Sequence, residues 1–335
     1  MPLTRPLMIA CLALGLAAGH SHADVPLPAR FEADQVWLVP RLDGRELRLF
    51  TDTGGGWNAI GREIAEAAGW PIEVVDTGQG ELAVVPFPAF DEGHGIPAPP
   101  AHFMQGRLAL AEPARLFGGD GFLGGRWFAD GIWDFDYPAG TLTRRDAAVP
   151  PAGSHAVPLG FQVDAAGRRT THFPSMDIVV DGETLPVLLD TGATAHLTEN
   201  SAPLFGREPD DMMGVSFIEQ EVFERWVRRH PDWRVIEAGD RKGPQLRRMI
   251  EVPAVTIAGY TVGPVWFSEQ PAGAFQQYMA TMMDRPTWGA IGGSALKHFR
   301  VLVDYPGATA HFLPADAAGD ATGRHTDAGD GKAGG

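Results

Sequence analysis

Cysteine is nearly missing. Among 335 residues only Cys11 carries a thiol, and it lies inside an apolar run near the N-terminus. Past that run, disulfides and thiolate chemistry are excluded. Long apolar runs are missing too. Residues 7–18 form the longest, too short to span a bilayer stably. Basic charge is scarce, with 27 Lys and Arg against 42 Asp and Glu and a formal net charge of −15. Such a balance repels nucleic acid and anionic membrane surfaces. No His-Glu-x-x-His occurs, the histidines are scattered, and no Gly-x-Ser-x-Gly is present. No metal or cofactor is therefore expected. Gly119 to Gly124 fits G-x-G-x-x-G, but residues 127–135 read as strand, which argues against a dinucleotide site.

What is present suits a globular chain: 44% hydrophobic and 21% charged residues, with length for two domains. Arg5, the apolar run and Ser21-His22-Ala23 read as a signal peptide over residues 1–23, removed before Asp24. The expected location is periplasmic or secreted, and the mature chain has no membrane span. Cys11 inside the run argues against a lipoprotein. From residue 315 the chain is rich in Gly, Ala and Asp, and disorder is expected over 315–335.

A repeat organises the remainder. Residues 35–51 alternate apolar and polar side chains around Asp43-Gly44, the pattern of a tight hairpin, and run into Asp52-Thr53-Gly54-Gly55. Residues 178–189 do the same around Asp181-Gly182 and run into Asp190-Thr191-Gly192-Ala193. The two Asp-Gly pairs stand equally far before Asp52 and Asp190. Each half then closes on an apolar-apolar-Gly signal, Phe122-Leu123-Gly124 and Ala290-Ile291-Gly292. Asp136-Tyr137-Pro138 and Asp304-Tyr305-Pro306 follow at equal intervals. Two landmarks per half, in one order and register, imply internal duplication. Residues 147–155 suit a linker. Ile60, Ile64, Ala67 and Ala68 share a helical face that Gly69-Trp70-Pro71 ends. In 219–229, Val222, Phe223, Trp226 and Val227 make a helical stripe. Core packing is the first reading of that stripe, a lid or partner surface the second.

Two carboxylates a few ångströms apart do not both ionise readily, so one keeps its proton and the pair divides into acid and base. Such a pair activates a water against a peptide carbonyl without metal or nucleophile. A Thr after each Asp offers a hydroxyl to lock the turns together. The Gly lets the backbone pass close and aims its N–H at the carboxylate.

These motifs resemble the aspartic peptidases. The second, with Ala193, is similar to a retropepsin motif; the first departs from the usual Ser, Thr or Ala by having Gly55. The resemblance covers roughly residues 33–312. It implies an all-β fold of two pseudo-symmetric retropepsin-like barrel lobes, residues 24–148 and 149–314, with a cleft between them and few short helices. Asp52 and Asp190 would be catalytic, supported by Thr53, Gly54, Thr191 and Gly192. The substrate would be an extended peptide or protein, and a duplicated chain acts as a monomer. No substrate-binding residue is assigned. A flap is expected over residues 75–86, with a smaller counterpart in the second half.

A third Asp-Thr-Gly, at Asp76, lacks the preceding hairpin and falls where the flap belongs, so Asp52 is preferred as the first-half aspartate. His196 is read as a surface or packed histidine, Asp136 and Asp304 as turn residues. Trp57, Trp288 and Phe122 are read first as core aromatics and second as pocket walls. The other functions considered are a non-catalytic peptide-binding protein of the same fold and an envelope assembly protein docking through the Trp226 helix.

Overall fold

The computed structural model describes residues 24–77, 80–92, 95–102 and 104–315. The expected signal peptide and the segment from residue 316 lie outside them. The described chain is mostly β, with few and short helices; the longest, Gln220–Arg229, has ten residues. No helix there is long and apolar enough to cross a membrane.

Two large sheets carry the two halves. From its second strand, the eight-stranded sheet runs Gln35–Leu38, Leu49–Asp52, Gly121–Gly124, Asn58–Gly61, Leu108–Ala111, Glu81–Val85, Glu73–Asp76. The nine-stranded sheet runs Ser175–Val180, Glu183–Leu189, Gly289–Ile291, Ser216–Glu219, Val265–Gln270, Gln245–Val252, Val235–Lys242 over the corresponding stretch. Strand directions agree at every step, including the two parallel pairs in each sheet. The sequence repeat is thus matched by a repeat of strand order. Both sheets run from edge to edge, so the expected closed barrels are open sheets among the described residues.

The Asp-Gly pairs make the turns their sequence demands. Asp43 and Gly44 have φ of 50° and 76°, and Asp181 and Gly182 have the same values. Both central residues of a type I′ turn need positive φ, which Asp tolerates and Gly accepts freely. Leu42 pairs with Arg45 and Val180 with Glu183, so each loop has two residues. Register is fixed there, and it delivers Asp52 and Asp190 to the ends of their strands.

A third, six-stranded sheet joins the halves. Its order is Val25–Pro26, Thr141–Arg145, Ile132–Asp136, Phe299–Asp304, Thr309–Pro314, His155–Pro158. The central antiparallel pair brings Asp134 opposite Leu302. Asp136 and Asp304 accept from the N–H groups of Ala139 (3.0 Å) and Gly307 (2.8 Å) as turn residues.

Several local expectations change. Ile60 lies on a strand, fully buried, and the helix begins only at Arg62. β-sheet pairing on both sides of Asn58–Gly61 overrides the helical period there. Trp127 belongs to a short helix, Gly125–Phe128, and the next strand starts at Ile132. That strand joins a different sheet from Gly121–Gly124, so no βαβ unit forms around the glycines. On Gln220–Arg229 the side chains of Val222, Phe223 and Trp226 are fully buried. The Trp226 stripe is core, which removes it as a docking surface. The hairpin at residues 73–85 has strands of four and five residues, but its second-half counterpart has two of eight. The counterpart is larger, not smaller.

Candidate active site

The duplicated turns meet face to face. Thr53 and Thr191, both buried, clasp each other: the Thr191 N–H donates to Thr53 Oγ1 at 2.9 Å, and the Thr53 N–H donates to Thr191 Oγ1 at 3.2 Å. Thr53 Oγ1 donates in turn to the Leu189 carbonyl at 2.8 Å. These bonds join residues 136 and 138 positions apart. They satisfy backbone groups that would otherwise be buried without partners. Each glycine then aims its N–H at its own aspartate, Gly54 to Asp52 Oδ1 at 2.8 Å and Gly192 to Asp190 Oδ1 at 2.9 Å.

The glycines are also points of close approach between the halves. A Cβ on Gly54 would lie 2.4 Å from Asp190 Cγ, and one on Gly192 would lie 2.2 Å from Asp52 Cγ. Each carboxyl therefore rests on the other half's glycine backbone. The structure thus brings together all six residues that the motifs nominate: Asp52, Thr53, Gly54, Asp190, Thr191 and Gly192.

The two carboxyl groups are near enough that each acts on the other's ionisation by charge and hydrogen bonding. Burial, then the charge of Asp190 and hydrogen bonding with it, push Asp52 well above the usual carboxylate range. Burial raises Asp190 as well, opposed by hydrogen bonds from Asp52 and from the Gly192 N–H. Two acids so placed in a low-dielectric site favour holding one proton between them. One group is then a base and its neighbour an acid, which suits activating a water and protonating the atom it attacks.

Asp76 is elsewhere. It ends an exposed edge strand and pairs with Glu81 across the hairpin. A cavity of about 790 Å³ lies beside the first motif, walled by Gly56, Trp57, Val75, Asp76, Leu82 and Arg126. A second of about 350 Å³ is walled by Gly55, Trp57, Ala59, Phe117 and Phe122, with Arg115. Trp57, 42% exposed, borders both. Phe122 is buried and Trp288 half-buried. His196 is half-buried; its backbone N–H donates to Asp240 at 2.9 Å, and burial holds its ring below the usual histidine range.

Gly55 has a steric reason. A Cβ there would lie 2.4 Å from Phe122 Cζ and 2.8 Å from Asp52 Oδ2. In the second half Ala290 stands at the Phe122 position, and the fourth motif residue is Ala193. A large ring with Gly in one half thus answers a small side chain with Ala in the other.

Sequence reading missed three contributors. Asn58 Oδ1 accepts from the Gly124 N–H at 2.9 Å, and Ser216 Oγ accepts from the Gly292 N–H at 3.2 Å. These residues hold corresponding positions on corresponding strands, but their differing types hide the match. The third is Lys242, whose charge acts on both aspartates. It carries no motif; only the strand order brings it near. Among the described residues no group of three or more His, Cys, Asp or Glu is arranged to hold a metal. No protein-family model matches the sequence, and no curated protein matches it.

Proposed function

We propose that this chain is an aspartic endopeptidase of two retropepsin-like lobes, residues 24–148 and 149–314, related by a pseudo-twofold axis. The observation that carries the reading is the reciprocal Thr53–Thr191 clasp, which sets Asp52 and Asp190 each against the other half's glycine at the ends of equivalent strands. In the reaction the ionised carboxyl takes a proton from a water held between the pair. That water attacks the scissile carbonyl carbon, while the protonated carboxyl donates to the carbonyl oxygen. The C–N bond of the tetrahedral adduct then breaks as the amine receives the proton. An extended peptide would lie across the pair, with the Glu73–Val85 hairpin over it and the apolar cavity at Phe117 and Phe122 taking a side chain. The chain would act as a monomer, exported to the periplasm or beyond on the strength of the pattern in residues 1–23.

The test is cleavage of a peptide mixture across pH by the parent and by Asp52→Asn, Asp190→Asn and Asp76→Asn. Asn is nearly isosteric but neither accepts nor releases the proton. Each dyad variant should lose about 10²–10⁴-fold in kcat or more, with the fold retained. Asp76→Asn should leave kcat nearly unchanged. The parent profile should fall at both pH extremes, where the pair is doubly protonated or doubly ionised. Full activity in both dyad variants would remove the mechanism. A parent that binds peptides without cutting them would favour a non-catalytic binding protein.

A further inference from the structure

The larger hairpin brings a cation to the segment that follows the second Asp-Thr-Gly. Strand Val235–Lys242 turns through Gly243 into Gln245–Val252, and Lys242 is its last residue. At the same strand end, the first-half hairpin has Asp76. Lys242 Nζ donates to the Thr194 carbonyl at 3.3 Å and stands 5.6 Å from the Phe217 ring centroid. Thr194 belongs to the chain leaving the second Asp-Thr-Gly turn. Its hydroxyl donates to the Gly192 carbonyl at 2.9 Å and accepts from Gln35 Nε2 of the first half at 2.9 Å. Asp240, on the same strand as Lys242 and fully buried, grips the neighbouring residues by accepting from the His196 N–H. The ammonium is therefore fastened to the same short segment that seats Asp190.

Resting on the peptidase reading above, we propose that Lys242 is a positioning residue for the Asp52–Asp190 pair, its ammonium favouring the singly ionised pair over the doubly protonated one. Burial with no cation nearby extends upward the pH range over which both carboxyls keep their protons, and a doubly protonated pair has no base. A fixed positive charge stabilises the one negative charge the reaction needs.

The surrounding charges leave this role to Lys242. Burial lowers its pKa, while Asp240, Asp190 and Asp52 favour its charged form and Arg247, on the paired strand, opposes it. Asp240 is itself occupied by Ser268 and the His196 N–H. Tyr137 and Tyr305, buried near the pair, are pushed up by burial and remain neutral. Asp34 is paired with Lys297 at 2.9 Å. The His196 ring is held below its usual range by burial and by Lys242.

Two readouts test the role. The first is a carbon-13 NMR titration of the aspartate carboxyls in the full chain, with Asp190→Asn identifying the pair. The second is the pH dependence of peptide cleavage. Lys242→Met and Lys242→Gln should shift the pair's titration, and both limbs of the rate profile, to higher pH. Lys242→Arg should keep both near the parent, which a merely structural role would not require of the titration. Thermal unfolding selects the folded variants. An unshifted titration in folded Lys242→Met or Lys242→Gln overturns the proposal. If the parent cuts no peptide, the peptidase reading fails, and the carboxyl titration still decides whether Lys242 controls the pair.

Discussion

Asp52 illustrates how a site residue works against stability. Burial and the neighbouring carboxyl raise its pKa in the folded chain. The folded state therefore binds a proton that the unfolded state releases above the ordinary carboxylate range. That contribution is fully present below the unfolded pKa and is lost as pH rises through the folded one. Asp52→Asn removes the loss. Its unfolding temperature should exceed the parent's at about pH 7, and the gap should close toward about pH 4. Calorimetry at the two pH values checks the sign; a variant less stable at neutral pH would contradict it.

At the level of elements, turn and strand are matched in volume. The turn after Asp52 passes under Phe122 of strand Gly121–Gly124, with room for Gly55 and nothing larger. Gly55→Ala should cost about 1–3 kcal/mol, the range for overpacking a close-packed site. Phe122→Leu should recover part of that loss in the double variant, a coupling that two independent sites would lack. Denaturant unfolding of the three variants measures it, and strictly additive costs would refute the volume match. The same logic explains why the fourth motif residue differs between halves. The helix Gln220–Arg229 shows the local rule at work, since its apolar stripe at helical spacing is buried against the neighbouring strands.

Across the whole molecule, the six-stranded sheet holds the halves in the register that the carboxyl pair needs. Its centre carries Asp134, 3% exposed, which accepts from Arg145 Nε at 2.9 Å and from Arg300 Nε and Nη2 at 3.0 and 2.7 Å. Burial alone would raise its pKa, but hydrogen bonds and charge from Arg300 and Arg145 outweigh it and hold the group below the usual range. Its contribution is present above the unfolded pKa and is lost as pH falls through the folded one. Asp134→Asn takes the buried carboxylate from two guanidinium groups, leaving Arg145 with Asp24 and Arg300 with Asp136 at 3.8 Å, and should cost about 2–4 kcal/mol at neutral pH. The difference from the parent should shrink below about pH 4. Equal stability at neutral pH would show that the network contributes nothing. Arg145 comes from the first half and Arg300 from the second, so one carboxylate couples them.

The features legible in the sequence are those made by adjacent residues. Asp43-Gly44 and Asp181-Gly182 determine their turns because positive φ is a local requirement, and those turns set the register that puts Asp52 and Asp190 at strand ends. The spacing of the landmarks carries the duplication for the same reason. Ile60 reads as helical in the sequence because a period over a few residues does not reveal two flanking strands. Only the tertiary structure decided the Thr53–Thr191 clasp, the match of Gly55 to Phe122, the equivalent hydrogen bonds that Asn58 and Ser216 accept from Gly124 and Gly292, and the approach of Lys242. Each depends on groups that strand pairing and the meeting of the two halves assemble across long sequence separations. A carboxyl's desolvation and its neighbours' charges belong to the assembled site rather than to any stretch of chain.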